Sequence, residues 1–241
     1  MKPFLLLGTR DPQAAFDEYE SVRRHLQVDA ADLEHRQLTD LPIDPVDLDD
    51  YSGVVLGGGP FNASDVVKSD VQIEVEDFLG RLVDEVRERQ FPFIGLCYGI
   101  GVVTMRLGGV VNDIYKEPVH AIEVELTDEG AADPLLAGVP TRFKAFVGHK
   151  ESCAQPPADA VLLAKGSACP VQMYRIDENL YVTQFHPELD ADDLATRIRL
   201  YENAGYFRPD EMTQLITDAH TADLPGDQHK ILSNFARRYA R

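Results

Sequence analysis

Apolar positions along the chain fall into short blocks of two different periods, and the two alternate. Residues 4–7 form an uninterrupted apolar run closed by Gly8, the mark of a strand buried on both faces. Residues 12–26 then carry Phe16, Tyr19, Val22 and Leu26 at helical spacing, which predicts an amphipathic helix with that stripe inward. A second apolar run, 54–56, stops at Gly57-Gly58-Gly59-Pro60. Residues 71–89 read as a helix, apolar at Val71, Val75, Phe78, Leu79, Leu82 and Val86 and charged opposite. The run 91–96 leads through Cys97 into a further helix-like stretch ending at Leu107. Strand, helix, strand, helix in this order predicts a parallel sheet packed between helices.

From 119 to 185 the texture becomes β-rich, with segments at 121–126, 143–147, 160–164, 171–176 and 181–185 separated by Gly, Pro, Asp and Asn. From Asp192 the pattern is helical to the end, with breaks near Gly205 and Pro225. No repeat, low-complexity tract or linker interrupts the chain. The expectation is one α/β domain over 1–195 with 196–241 as a helical extension packed on it.

A chain of 241 residues is long enough for one sizeable core. Its 41 acidic against 23 basic residues give a net charge of −18, which disfavours nucleic acid and anionic membranes as partners. No apolar run approaches the roughly 20 residues a bilayer requires. The opening MKPFLLLGTRD is too short for a signal peptide and reads as a first buried strand. Cys97, Cys153 and Cys169 are odd in number and widely spaced, so neither a disulfide framework nor a zinc set is expected. A reducing cytoplasm is the expected address, with no metal and no organic cofactor.

The most informative segment is Phe93-Ile94-Gly95-Leu96-Cys97-Tyr98-Gly99. A strand running into Gly-x-Cys-x-Gly and then a helix has the form of a nucleophile elbow, with glycines where a Cβ would clash. The turn sets Cys97 at the positive end of the following helix, an environment that suits a thiolate. A buried cysteine ending a core strand is the plainer alternative. A thiolate needs a base and a group to orient it. Residues 181–185 lead into His186-Pro187-Glu188, where the proline keeps His186 extended, so that His186 and Glu188 face the same side. The Gly57-Gly58-Gly59-Pro60 loop can offer backbone N–H groups to an oxyanion, with the Tyr98 N–H as second donor. A phosphate loop and an ordinary turn compete for that loop, although neither nucleotide-loop spacing is present.

Taken in order, the Gly-Gly-Pro loop, Gly-Leu-Cys-Tyr-Gly, Val147-Gly148-His149-Lys150-Glu151, Gln172 and Gln184-Phe185-His186-Pro187-Glu188 resemble the class I (triad-type) glutamine amidotransferase family over residues 1–195. The likeness is greatest to stand-alone members related to the glutaminase domain of GMP synthase. The resemblance implies a flavodoxin-like three-layer α/β sandwich with a mostly parallel central sheet. It implies that Cys97 attacks the γ-carboxamide of glutamine, His186 moves the proton and Glu188 orients His186. The oxyanion then rests on Gly59 and Tyr98, and ammonia passes to a separate synthetase or amination partner. Gly58, Gly101, Gly148, His149, Lys150 and Glu151 fall at the family's substrate-binding positions.

Two departures bear on the substrate. The family usually carries glutamine four residues after the nucleophile, where this chain has Gly101, which removes a polar contact worth about 1 kcal/mol and widens the pocket on paper. Lys150-Glu151 also stands where Gly-Asp or similar is common. A stand-alone γ-glutamyl amide or peptide hydrolase is therefore the second reading, and a catalytically idle protein with a binding or regulatory role the third. Cys153 and Cys169 read as structural. His25, His35, His120, His220 and His229 fall in helical or solvated contexts, and Tyr201, Tyr206 and Phe207 read as packing residues or a docking patch.

Overall fold

A computed structural model describes residues 1–202 and 207–241. In chain order the elements are β1 (Phe4–Gly8), α1 (Pro12–Leu26), β2 (Leu33–Gln37), β3 (Gly53–Leu56), α2 (Asp70–Glu88), β4 (Phe93–Leu96), α3 (Tyr98–Arg106), β5 (Val110–Asn112) and β6 (Glu117–Leu126). There follow α4 (Asp128–Ala132), β7 (Arg142–His149), β8 (Ser152–Gln155), β9 (Val161–Gly166), β10 (Met173–Ile176), β11 (Leu180–Thr183), α5 (Ala191–Leu200), α6 (Met212–Thr221) and α7 (Lys230–Tyr239).

Nine strands form one sheet in the order β2-β1-β3-β4-β11-β10-β9-β6-β7. From β2 to β11 every pairing is parallel, and β10, β9, β6 and β7 continue it antiparallel. The fully apolar runs of β1, β3 and β4 are buried on both faces because helices cover both. Phe4 and Leu6 pack with Val22 and Leu26 of α1 and with Ile231 and Phe235 of α7. Leu5 and Leu7 pack on the other side with Val75, Leu79 and Val83 of α2 and Val103 of α3. This is the three-layer α/β sandwich expected from the sequence. A third cluster, Phe146, Leu189, Leu194, Ile198 and Ala219, seats α5 and α6 over the antiparallel end. The division drawn at residue 195 falls inside α5, which runs unbroken.

Helix α1 has the predicted limits, capped by Asp11 with Pro12 in its first turn. Its inward face differs from the expected stripe. Phe16 is 59% exposed, whereas Glu18 is fully buried. The α1 face turned toward the carboxyl edge of the sheet meets a polar site there. β2 carries no periodic signal because Leu-Glu-His-Arg-Gln lacks alternation; it is an edge strand paired only to β1, and His35 lies in it rather than in a helix.

Candidate active site

The carboxyl ends of β1, β3, β4 and β11 meet at one edge, the usual ligand side of an open parallel sheet. Cys97 sits between β4 and α3 with φ 51° and ψ −87°, a backbone conformation that disfavours a side chain and stores about 1–3 kcal/mol of strain. The turn is held by Cys97 N–H donating to Thr183 O at 2.8 Å, which ties the elbow to the end of β11. Gly95 is required sterically, since a Cβ there would lie 3.0 Å from Gly99 Cα. At Gly99 a Cβ would meet Leu56 Cδ2 at an ordinary 3.5 Å, so only the first of the two glycines is imposed by crowding.

β11 delivers His186, whose own N–H donates to Phe146 O at 2.9 Å. His186 Nδ1 donates to Glu188 Oε1 at 2.7 Å, and the imidazole faces the same cleft as Cys97. Burial opposes the imidazolium, but the charge of Glu188, the nearby Cys97 sulfur and the hydrogen bond to Glu188 outweigh it and raise the His186 pKa to about 9. For Glu188 burial pushes the other way from its partners. The charge and hydrogen bond of His186, aided by Arg197, hold its carboxyl well below the usual carboxylate range. The turn is braced from α1 by Ser21 Oγ, which donates to the Glu188 carbonyl.

Three glycines close the next wall. A Cβ at Gly57 would strike the Glu18 carboxylate, one at Gly58 the Arg10 guanidinium, and one at Gly59 the Thr9 hydroxyl. Gly57 N–H still belongs to the sheet, donating to Leu7 O at 2.9 Å, and Gly58 N–H donates to Glu18 Oε1 at 3.1 Å. Gly59, Cys97, Gly148, His186, Arg10 and Tyr201 all face one cleft of about 50 Å³. Phe207 also lines this cleft, while Tyr206 lies outside the described residues.

The remaining substrate-position residues are not all turned toward the cleft. Gly148 lines it. His149 is buried, with Nε2 donating to Glu117 Oε2 at 3.1 Å and Nδ1 2.8 Å from Glu151 O. Gln172 Nε2 donates to the same Glu117 oxygen at 2.8 Å. Glu151 accepts from Ala63 N at 2.7 Å and from Ser64 N and Oγ at 2.8 and 2.6 Å, clamping the loop after the glycines. Its Oε1 would lie 2.8 Å from a Cβ at position 101. The gap expected from Gly101 therefore does not exist: a carboxylate from another loop fills it. Lys150 sits half-buried between His149 and Glu151.

Cys153 and Cys169 are fully buried, and burial pushes their thiols up to about 11 and about 12, away from reactivity. Among the described residues, two groups have ligand-type atoms within 4.8 Å of one another. Glu117, His149 and Cys169 are engaged in hydrogen bonds with protein groups, and His25, Asp190 and Asp193 lie beside Arg24, which pairs both carboxylates. His25, in the last turn of α1 and half-buried, stacks on His229 with centroids 3.5 Å apart.

Sequence reasoning missed Arg10, Glu18 and Arg197. Arg10 Nε donates to Glu18 Oε1 at 2.8 Å and Nη1 to Tyr201 Oη at 2.9 Å. Arg197 Nη1 lies 3.2 Å from Glu188 Oε1. A charge on an amphipathic helix ordinarily faces solvent, and the only available signal was Glu18 falling between the apolar positions of α1.

Known proteins share both the sequence pattern and the fold. Residues 15–198 match the family model described as glutamine amidotransferase class-I. A glutamine-hydrolyzing GMP synthase subunit of Methanothermobacter thermautotrophicus is 30% identical over 149 residues, 61% of this chain and 71% of that protein. Its namesake in Methanoregula boonei is 29% identical over 182 residues, covering 71% of this chain and 88% of the relative. A solved glutamine amidotransferase of Thermotoga maritima shares the fold with TM-score 0.78 at 19% identity, over 99% of this chain and 98% of the other. A match that takes in well over half of the chain, from α1 to the α5 residue Ile198 beside the cleft, makes this protein a member of the class I glutamine amidotransferase family.

Proposed function

We propose that the chain hydrolyses the side-chain amide of glutamine through a Cys97–His186–Glu188 triad and hands the ammonia to a separate protein. The observation that carries this reading is Cys97, held in a strained elbow and facing the same cleft as an imidazole that Glu188 fixes at 2.7 Å.

The chemistry follows from those contacts. With Nδ1 committed to Glu188, His186 offers Nε2 to the sulfur and takes its proton. The thiolate attacks the γ-carbonyl carbon, and the backbone N–H groups of Gly59 and Tyr98 stabilise the oxyanion. The C–N bond breaks as His186 returns the proton to the leaving nitrogen, giving ammonia and a γ-glutamyl thioester. Water, deprotonated by His186, then attacks the thioester; the C–S bond breaks, and glutamate leaves. Backbone around Gly148 holds the amino-acid end of the substrate. His149 and Glu151 act behind it by anchoring the loop, while Gly58 serves the same end through its bond to Glu18.

The partner is inferred from the relatives, which are named as subunits of GMP synthase. The γ-glutamyl peptide reading drew on the space expected at Gly101. Glu151 occupies that space, so nothing specific now favours it. The test is turnover of glutamine and of γ-glutamyl dipeptides by wild type and Cys97→Ser. Glutamate release from glutamine that disappears in a folded Cys97→Ser variant supports the proposal. Dipeptide hydrolysis far faster than glutamine hydrolysis, or turnover retained by Cys97→Ser, overturns it.

A further inference from the structure

Around the triad lies a buried charge cluster whose two arginines, Arg10 and Arg197, the mechanism above does not use. Glu18 Oε1 accepts from Arg10 Nε at 2.8 Å and from Gly58 N at 3.1 Å, and it lies 3.9 Å from Arg197 Nη2. Arg197, reaching in from α5 with only 15% of its side chain exposed, directs Nη1 at Glu188 Oε1 across 3.2 Å. That is the oxygen which also accepts from His186 Nδ1. The same guanidinium nitrogen lies 3.3 Å from His186 Nδ1 itself.

We propose that Arg197 is a positioning residue for the base: by sharing Glu188 Oε1 with His186 it fixes the imidazole toward Cys97 and keeps the imidazole proton transferable. The inference rests on the triad reading given above. Two donors dividing one carboxylate oxygen each receive less of its charge than one donor alone. A general acid and base works best when its proton is held neither too tightly nor too loosely at the working pH.

The charges facing His186 come from every side. Cys97 belongs to the elbow, Glu188 to the histidine's own turn, Arg197 to α5 and Arg10 with Glu18 to the β1–α1 region. Tyr201 Oη follows α5 and bonds Arg10. Behind the turn, His229 Nδ1 donates to the Pro187 carbonyl at 2.7 Å, with His25 stacked on it and Asp193 paired to Arg24 farther out. Glu18 and Glu188 are balanced by Arg10 and Arg197, so the Cys97–His186 pair exchanges its proton inside a neutral frame. Without Arg197 one carboxylate beside the imidazole is uncompensated, and His186 retains its proton to higher pH.

The experiment follows iodoacetamide alkylation of Cys97 by peptide mass across pH, in the full chain, for wild type, Arg197→Met and Arg197→Lys. It needs no glutamine, which separates this inference from the substrate assignment. The alkaline limb of the rate profile, where His186 loses its proton, should move up by about half a pH unit or more in Arg197→Met and far less in Arg197→Lys. Glutamine turnover should fall about tenfold or more in kcat for Arg197→Met, with KM little changed and partial recovery in Arg197→Lys. An unmoved limb in a folded Arg197→Met variant, or equal kcat losses in both variants, overturns the inference alone. A wild-type Cys97 no more reactive than a free thiol removes the triad and the inference together. Should Arg197→Met fail to fold, Arg197→Gln carries the same comparison under the same criteria.

Discussion

Replacing Gly101 by alanine tests the most consequential correction to the sequence reading. In α3 the added methyl group would lie 2.8 Å from Glu151 Oε1 and 3.2 Å from Ala63 Cβ. Relief requires Glu151 to retreat from Ala63 N, now 2.7 Å away. A hydrogen bond to an ionised group contributes about 1.5–3 kcal/mol, and overpacking adds about 1–3 kcal/mol. Alanine returns about 0.5–1 kcal/mol through helix propensity. The net loss is about 2–5 kcal/mol, which at roughly 2–4 °C per kcal/mol for a chain this size lowers Tm by about 4–20 °C. Circular dichroism melts and urea titrations measure it. Glu151→Ala is itself destabilising, because it strips the loop of a carboxylate with three donors, but in that background Gly101→Ala should be nearly neutral. The two changes should therefore couple by nearly the whole of that loss, about 2 kcal/mol or more. A rise in Tm for Gly101→Ala alone, or strict additivity in the double variant, would refute the placement of the carboxylate. By the same reasoning, restoring the family's glutamine at 101 without changing Glu151 should lower stability rather than improve glutamine use.

Other outcomes follow from the charges. Glu18→Gln leaves Arg10 buried without its counter-ion, so stability should drop by about 3–5 kcal/mol; a chemical melt within about 1 kcal/mol of wild type, on the same scale, would show that the pair is solvated. Burial, reinforced by the charge of stacked His229, holds His25 down at about 4. As pH falls from about 6.5, the ordinary histidine value, toward 4, the unfolded chain takes up a proton the folded one refuses, and stability declines. In His25→Gln the slope of urea midpoint against pH should flatten over that interval, and an unchanged slope counts against the stack. For the raised His186 the sign is opposite: its stabilisation is complete below about 6.5 and disappears as pH climbs through about 9. The stability gap between wild type and Glu188→Gln should accordingly shrink across that range, and a constant gap would argue against an ionic His186–Glu188 pair.

What the sequence disclosed was local. The elbow, the glycine loop and His186-Pro187-Glu188 are strings whose backbone geometry is dictated by their own residues, so their meeting at one sheet edge followed from strand order. β4, α1 and the β-rich half were visible in the same way, as periodicity. What stayed hidden depends on side chains converging from distant segments. Arg10, Glu18 and Arg197 look like surface charges until α1 and α5 are docked with their polar faces toward the sheet edge. β2 hid because an edge strand with one buried residue, Leu33, carries no period. The Gly101 reading failed for the most instructive reason. A missing side chain does not leave empty volume, because interiors are close-packed and Glu151 from a later loop occupies the space.

The fit of Thr9, Arg10 and Glu18 against Gly57-Gly58-Gly59 has an evolutionary reach. Each glycine is the mould of one opposing side chain, so two stretches far apart in the chain can drift only in step. A library randomised at 57–59 alone should return glycine at every position. One that also frees positions 9, 10 and 18 should recover larger loop residues alongside trimmed partners, and the loop's amides would then be aimed anew without disturbing a single strand.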